Sequence, residues 1–192
     1  MKHALKLTLL TMTLAGCATS PSPDKVAGLT DDARKTAAGL IQTLGGELKV
    51  AMTAGGPAQA IGVCKEKAPR IASEAAQKTG FQIKRVSLKN RNPKGVPDAW
   101  ETEALADLEK RLAAGEKPEI LDTYRVVNTP EGKIYRYAKA LVMQPVCVNC
   151  HGAAENISPE VKAKLATEYP DDKAVGYAPG MIRGVLSIKK TL

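Results

Sequence analysis

The sequence predicts an α+β domain in which helices cover an antiparallel sheet. Three observations lead there. Two long segments before residue 80 and one near residue 100 repeat apolar residues at helical spacing. Segments 81–88, 123–143 and 181–190 are rich in β-branched and aromatic residues and read as strands. Their order, helices then strand, helix, hairpin and strand, lacks the regular strand–helix alternation that builds a parallel sheet.

The chain opens on "MKHALKLTLLTMTLAGCATS". Lys2, His3 and Lys6 form a basic start, and the apolar run Leu7 to Leu14 is too short to span a bilayer, so residues 1–16 read as an export signal. Its end, "LAGC", has the form of a bacterial lipobox, which makes Cys17 the expected site of lipidation. Ala18 is not the aspartate that retains many lipoproteins at the inner membrane. An outer-membrane anchor facing the periplasm is therefore expected. Residues 17–29 contain the Ser/Pro-rich "ATSPSPDK" and read as a flexible tether. Residues 30–192 then form one domain.

Within that domain, Thr30 is the expected N-cap of a helix starting at Asp31 and stopping at Gly45-Gly46 or resuming to Met52. Gly55, Gly56 and Pro57 break the chain and start a second helix that runs to about Lys78. It carries Ala60, Ile61, Cys64, Ala68, Ile71, Ala72 and Ala75 on one face. "FQIKRVSL" is a strand, and Asp98 with Glu101 has capping-box spacing at the head of a third helix. The turn "TPEG" joins the two arms of a hairpin. Ser158 and Pro159 start a short helix. "MIRGVLSIKK" is a final strand, with Ile182, Leu186 and Ile188 expected on one face.

The chemistry concentrates in "PVCVNCHG", residues 145–152. Cys147 and Cys150, followed at once by His151, have the spacing of a covalent c-type haem attachment, two thiols for two vinyl groups and a histidine for the iron. Attachment of that kind belongs to the exported compartment, so leader and motif agree. A zinc site from Cys64, Cys147, Cys150 and His151 needs adjacent residues to converge on one tetrahedral ion and lacks a second spaced pair. A redox dithiol has no thioredoxin-like context here. One haem c is the expected cofactor.

The net charge of +8 falls to +6 once Lys2 and Lys6 leave with the signal. An exported protein has little access to nucleic acid, so the scattered cations read as a solvated face suited to an acidic redox partner or anionic lipid.

The second axial ligand is not a histidine, because His3 lies in the leader and His151 is already used. Met52, Met143, Met181 and Cys64 remain. Cys64 is the one thiol left after lipid and haem take the others. Pro69 removes the helical hydrogen bond to the Lys65 carbonyl, and Lys65 and Lys67 are placed to favour a thiolate. The residues leave two readings open, a buried inert cysteine and an iron ligand.

Five stretches, "AIGVCKEKAP", "VSLKNRNPKGVPDAWE", "CVNCHG", "YPDDKAVGY" and "GMIRGVLSI", together resemble a family of bacterial c-type haem domains with a PAS-like fold and a cyanobacterial prototype. The likeness runs from about Ala58 to Ile188. It implies a roughly five-stranded antiparallel sheet with flanking helices around one haem, His151 as proximal ligand and Cys64 as distal ligand. It also implies that Arg91, Asn92 and Arg183 line the haem pocket or fix its propionates. Met181 departs from the pattern, where acidic residues are common, and is left as a competing or switching ligand. Relatives often precede kinase or chemoreceptor modules. An output is thus expected in a separate partner, since the chain closes at Leu192.

The expected function is a haem-based redox or small-gas sensor with an unidentified redox or signalling partner. The alternative is a low-potential periplasmic electron carrier. No enzymatic role is expected, since a peroxidase-like reaction needs an open axial position and a distal group that the chain does not offer.

Overall fold

Residues 21–192 are described in a computed structural model of the chain. The leader 1–16 and Cys17 lie outside the described residues. From the N-terminus run α1 (Pro23–Gly62), a π-helical turn (Val63–Lys67), α2 (Ala68–Thr79), β1 (Gln82–Val86), α3 (Ala99–Ala113), β2 (Asp122–Thr129), β3 (Gly132–Val142), α4 (Val148–His151), α5 (Pro159–Glu168) and β4 (Ile182–Thr191).

The first helix starts eight residues before the expected Asp31. Ser22 caps it by accepting from the Lys25 N–H, and Pro23 occupies the first turn, where its missing N–H costs nothing. Residues 23–29, expected as the end of a tether, are therefore helical. Thr30 is not the cap; it lies inside the helix, bonds the Val26 carbonyl and receives the Tyr135 hydroxyl. Gly45 and Gly46 do not stop the helix. The break comes at Gly55 and Gly56, whose φ of +71° at Gly56 is open to glycine, and Pro57 restarts the helix as expected.

All strand pairs are antiparallel, in the order β1-β4-β3-β2. The implied count of about five corrects to four among the described residues. Two connecting segments, 87–97 and 170–180, carry Pro93, Pro97, Pro170 and Pro179, which remove ladder donors. They pack around residues 150–152 instead.

One sheet face receives α3. Its capping box is complete, and Trp100, Ala104, Leu105 and Leu108 pack on Val86, Ala138, Ala140 and Val185. The other face receives Ala33, Ala37 and Leu40 of α1 against Phe81, Tyr135, Tyr137, Leu186 and Ile188. Ile182 does not join Leu186 and Ile188, as the alternation predicted; it packs on the α3 side. The cause is a slip in register: Leu141 faces Gly184 and Val142 faces Ile182, so Arg183 is an extra residue in β4. A third cluster joins Ala58 and Ile61 of α1 to Ile157, Val161, Leu165 and Tyr169, with Cys150 against it. No helix among the described residues is long and apolar enough to cross a membrane.

Candidate haem attachment site

The motif folds as a 3₁₀ turn, Pro145–Cys147, running directly into the single turn of α4. Helical geometry puts Cys147, Cys150 and His151 at i, i+3 and i+4, on one face. Gly152 closes the turn by donating to the Val148 carbonyl at 2.9 Å. A Cβ there would lie 2.6 Å from that same oxygen, so the position requires glycine.

His151 is fixed by the segment before β4. Its carbonyl accepts from the Tyr177 N–H at 2.9 Å, and the Gly152 carbonyl accepts from Gly176 at 2.7 Å. Its Nδ1 lies 2.7 Å from the Ala174 carbonyl. Two acceptors do not approach so closely, so Nδ1 carries the hydrogen and donates it, and the lone pair is left on Nε2. Burial, followed by the charges of Arg91 and Arg183, pushes the imidazole pKa down to about 2. A neutral ring with a free Nε2 is the form that ligates iron. The Tyr177 ring stands edge-on to it, with centroids 6.5 Å apart.

Arg91 holds the motif to its neighbours. The residue is buried; its Nε donates to Asp172 Oδ2 at 2.9 Å, and one terminal nitrogen donates to the Cys150 carbonyl at 2.5 Å. Asp172 in turn accepts from the Ala174 N–H at 2.8 Å. Arg91 and Asp172 thus set the carbonyl that sets the histidine tautomer, which makes Arg91 a positioning residue. Asn92 is exposed and caps the 3₁₀ turn Pro93–Gly95 through the Lys94 N–H, so it shapes the loop rather than lining a pocket. Arg183 is buried, with Nε 3.3 Å from His151 Nδ1.

Cys64 sits half-buried in the π-helical turn, where the Ala68 N–H reaches back five residues to Val63. Pro69 explains this turn. It offers no N–H for the Lys65 carbonyl, and a π turn absorbs the lost bond. Lys65 pairs with Glu168 and Lys67 with Glu47, so the two lysines expected beside the thiolate are engaged elsewhere. Pro57, on the same helical run, brings its carbonyl 4.0 Å from Cys150 Sγ. Burial pushes the Cys150 thiol pKa up.

The methionines are placed otherwise. Met143 is buried, and Met181 is 46% exposed with its sulfur accepting the Ala178 N–H. Met52 is half-buried on α1, before the glycine break. Among the described residues no three His, Cys, Asp or Glu side chains gather as for one metal ion. A closed zinc set is thus not assembled, whereas a porphyrin brings four nitrogens and asks the protein for two donors only. The donors present fit that group. Sequence reasoning missed Asp172, Ala174 and Tyr177. The adjacent acids in "YPDDKAVGY" were a usable signal for the first, as counterions to a buried arginine.

A family model described as Tll0287-like matches residues 19–190. The crystal structure of the cyanobacterial heme-protein Tll0287 is similar in fold, with a TM-score of 0.62 at 21% sequence identity, covering 89% of this chain and 97% of that one. No curated protein matches.

Proposed function

The chain belongs to the Tll0287-like family, and on that premise we propose that it is an exported, lipid-anchored protein carrying one covalent haem c that acts as a redox or small-gas sensor. The description of the solved relative as a heme-protein supports haem binding here. Cys147 and Cys150 would hold the group by adding across its vinyl groups as thioethers, and His151 Nε2 and Cys64 would supply the two protein donors to its iron. Cys17 carries the lipid, and the anchor holds the domain at the periplasmic face of the outer membrane.

The observation that carries this reading is the 2.7 Å contact between His151 Nδ1 and the Ala174 carbonyl, which leaves Nε2 as donor on the helical face shared with both thiols. The π turn supports the sensing role. It offers Cys64 from backbone that is not regular helix, and Lys65 ties that turn to Glu168 at the end of α5. An anionic thiolate favours ferric iron. Release of Cys64 on reduction, or by a diatomic ligand, changes the π turn and the surface it shares with α5.

The test is visible and EPR spectroscopy of wild type beside Cys64→Ser and Met181→Ala. A low-spin thiolate signal lost only in Cys64→Ser is expected; loss in neither variant overturns the ligation. Ferrous protein that stays six-coordinate and inert to CO and NO overturns gas sensing. One observation favours the second reading, electron transfer: the attachment segment lies at the surface, with Val146 44% exposed and both motif cysteines half-buried. Rapid reduction without any change of coordination would select it. Intact mass of membrane-extracted protein, with Cys17→Ala as control, tests the lipid.

A further inference from the structure

The helix α1 runs from one end of the molecule to the other. At about 1.5 Å per residue, its regular stretch 23–54 is about 48 Å long. Its start lies beside one end of the sheet. Thr30 receives the hydroxyl of Tyr135, near the beginning of β3, and Val26 and Leu29 pack on the same cluster as Leu192. Past the glycine break, the Pro57 carbonyl lies 4.0 Å from Cys150 Sγ, so the other end of α1 meets the attachment segment. The strands run the same way. β1 and β3 leave the sheet at Val86 and Val142, on the side of residues 145–152, whereas β4 and the β2–β3 turn finish at the opposite edge.

The two ends differ in chemistry. Leu88, Val96, Val146 and Met181, all large, apolar and exposed, lie on the segments that adjoin the cysteine end of the sheet. The other end collects lysines. Lys25 stands on the first turn of α1 and Lys78 on the last turn of α2, while Lys133 begins β3 and Lys189 and Lys190 end β4. Lys190 donates to the Thr79 carbonyl, which ties the end of α2 to this group. Lys25, Lys78 and Lys189 form no ion pair among the described residues. Asp24 and Glu131 are the acids on those same turns.

The chain passes from Cys17 to the cap Ser22 in five residue steps, which reach about 18 Å at most when fully extended. A lipid on Cys17 therefore keeps the start of α1, and the lysines around it, close to the bilayer. Two features oppose a domain lying on its side. The apolar side of α1, Ala33, Ala37 and Leu40, is spent on the sheet, and helices that lie in the interface need a free apolar face. Asp31 and Asp32 are exposed along its flank, and an anionic leaflet repels carboxylates. We propose that the domain stands end-on on the bilayer, with Lys25, Lys78, Lys133, Lys189 and Lys190 against anionic phospholipid headgroups and residues 145–152 one length of α1 away. The proposal rests on the lipidation of Cys17 argued above, and adds the contact face and the orientation. The partner of residues 145–152 then comes from the aqueous side, since a protein confined to the same bilayer does not reach them.

The experiment uses the full-length protein extracted from membranes and reconstituted in phosphatidylcholine vesicles with or without phosphatidylglycerol. The photoreactive residue benzoylphenylalanine replaces Glu131 at the lysine end, Gln42 on the flank of α1 or Val96 at the cysteine end, all exposed positions, and lipid adducts are counted by mass spectrometry. Adducts are expected at position 131 alone, rising several-fold with phosphatidylglycerol. That rise is expected to vanish in Lys25→Glu/Lys78→Glu. Adducts at position 42 as strong as at 131 show a domain lying on its side and overturn the proposal, as do adducts at position 96. Adducts at 131 that ignore both phosphatidylglycerol and the lysines overturn the headgroup contact. Intact mass tests the underlying reading separately: a chain without lipid on Cys17 overturns the anchor. The same crosslinking on added vesicles then decides the lysine end by itself, adducts at 131 upholding it as a contact face and their absence overturning it too. Lys25 and Lys78 are exposed, so their variant reads binding and not folding.

Discussion

One backbone carbonyl, that of Ala174, decides which nitrogen His151 can offer, and the Arg91–Asp172 pair holds that carbonyl in place. Arg91 is buried and the Asp172 side chain is only 11% exposed, so removing one leaves the other poorly compensated. Asp172→Asn is expected to cost about 3 kcal/mol of stability by urea unfolding. Arg91→Lys should also be costly, because an ammonium cannot span Asp172 and the Cys150 carbonyl as a fork does. The two losses should be strongly non-additive in a double-mutant cycle; independent losses would show that the pair does not act as one unit. Gly184 is the companion of the bulge. Its φ is +157°, and a Cβ would lie 2.3 Å from the Val86 carbonyl, within the β1–β4 ladder. Gly184→Ala is expected to lose about 2 kcal/mol or more, since a forced backbone outlier and a steric clash combine. A variant as stable as wild type would show that the ladder yields there.

Among the elements, α3 has the most explicit start signal, and it is also tied to the sheet by charge. Asp98 accepts the Glu101 N–H at 3.0 Å and Glu101 returns a bond to the Asp98 N–H at 2.9 Å. The Glu101 carboxylate is fully buried and reaches Ser187 of β4 at 2.6 Å and Lys84 of β1 at 2.8 Å. For Asp98, burial opposes ionisation, but bonds from Arg136 and the Glu101 N–H outweigh it and hold its carboxyl below the usual range. A depressed pKa in the fold means stability that is present above the unfolded value, about 3.9, and is lost as pH falls through the folded one. Asp98→Ala is therefore expected to cost about 1 kcal/mol at pH 7 as a lost cap. The gap should narrow in urea melts below pH 4; a gap constant with pH would leave no role for the charge. Such caps are legible in sequence because Asp98 and Glu101 act over three residues. Gly55, Gly56 and Pro57 are legible for the same reason. The slip at Arg183 is not, because it arises from the register of β4 against β3, and Ile182 changes sides with it. The π turn was half-legible: Pro69 announced a broken bond but not its repair. Cys147, Cys150 and His151 stand out in the sequence because the attachment proposed for them restricts residue type and spacing. A carbonyl carries no such mark, and Ala174 could be found only from the fold.

At the scale of the whole molecule, the three apolar clusters do not depend equally on the haem motif. Two lie on the sheet faces, anchored by α3 on one side and α1 on the other, and neither includes a motif residue. The third joins the end of α1 to α5 and carries Cys150 at its edge. The segment 172–177 is bound to the motif through His151, Gly152 and Arg91. Local stability follows the packing of each unit, and units built around a bound group lose most when it is removed. A Cys147→Ala/Cys150→Ala variant, which removes both thiols of the proposed attachment, is therefore expected to keep its far-UV dichroism and the slow amide exchange of β3 and β4. Protection should fall in α4, α5 and residues 172–177, and in the π turn, which Lys65 joins to α5. Uniform loss of protection across the sheet would show that the group organises the entire domain. Unchanged exchange throughout would mean that the site is complete without it, and that the neutral, oriented imidazole of His151 is fixed by the protein before any iron arrives.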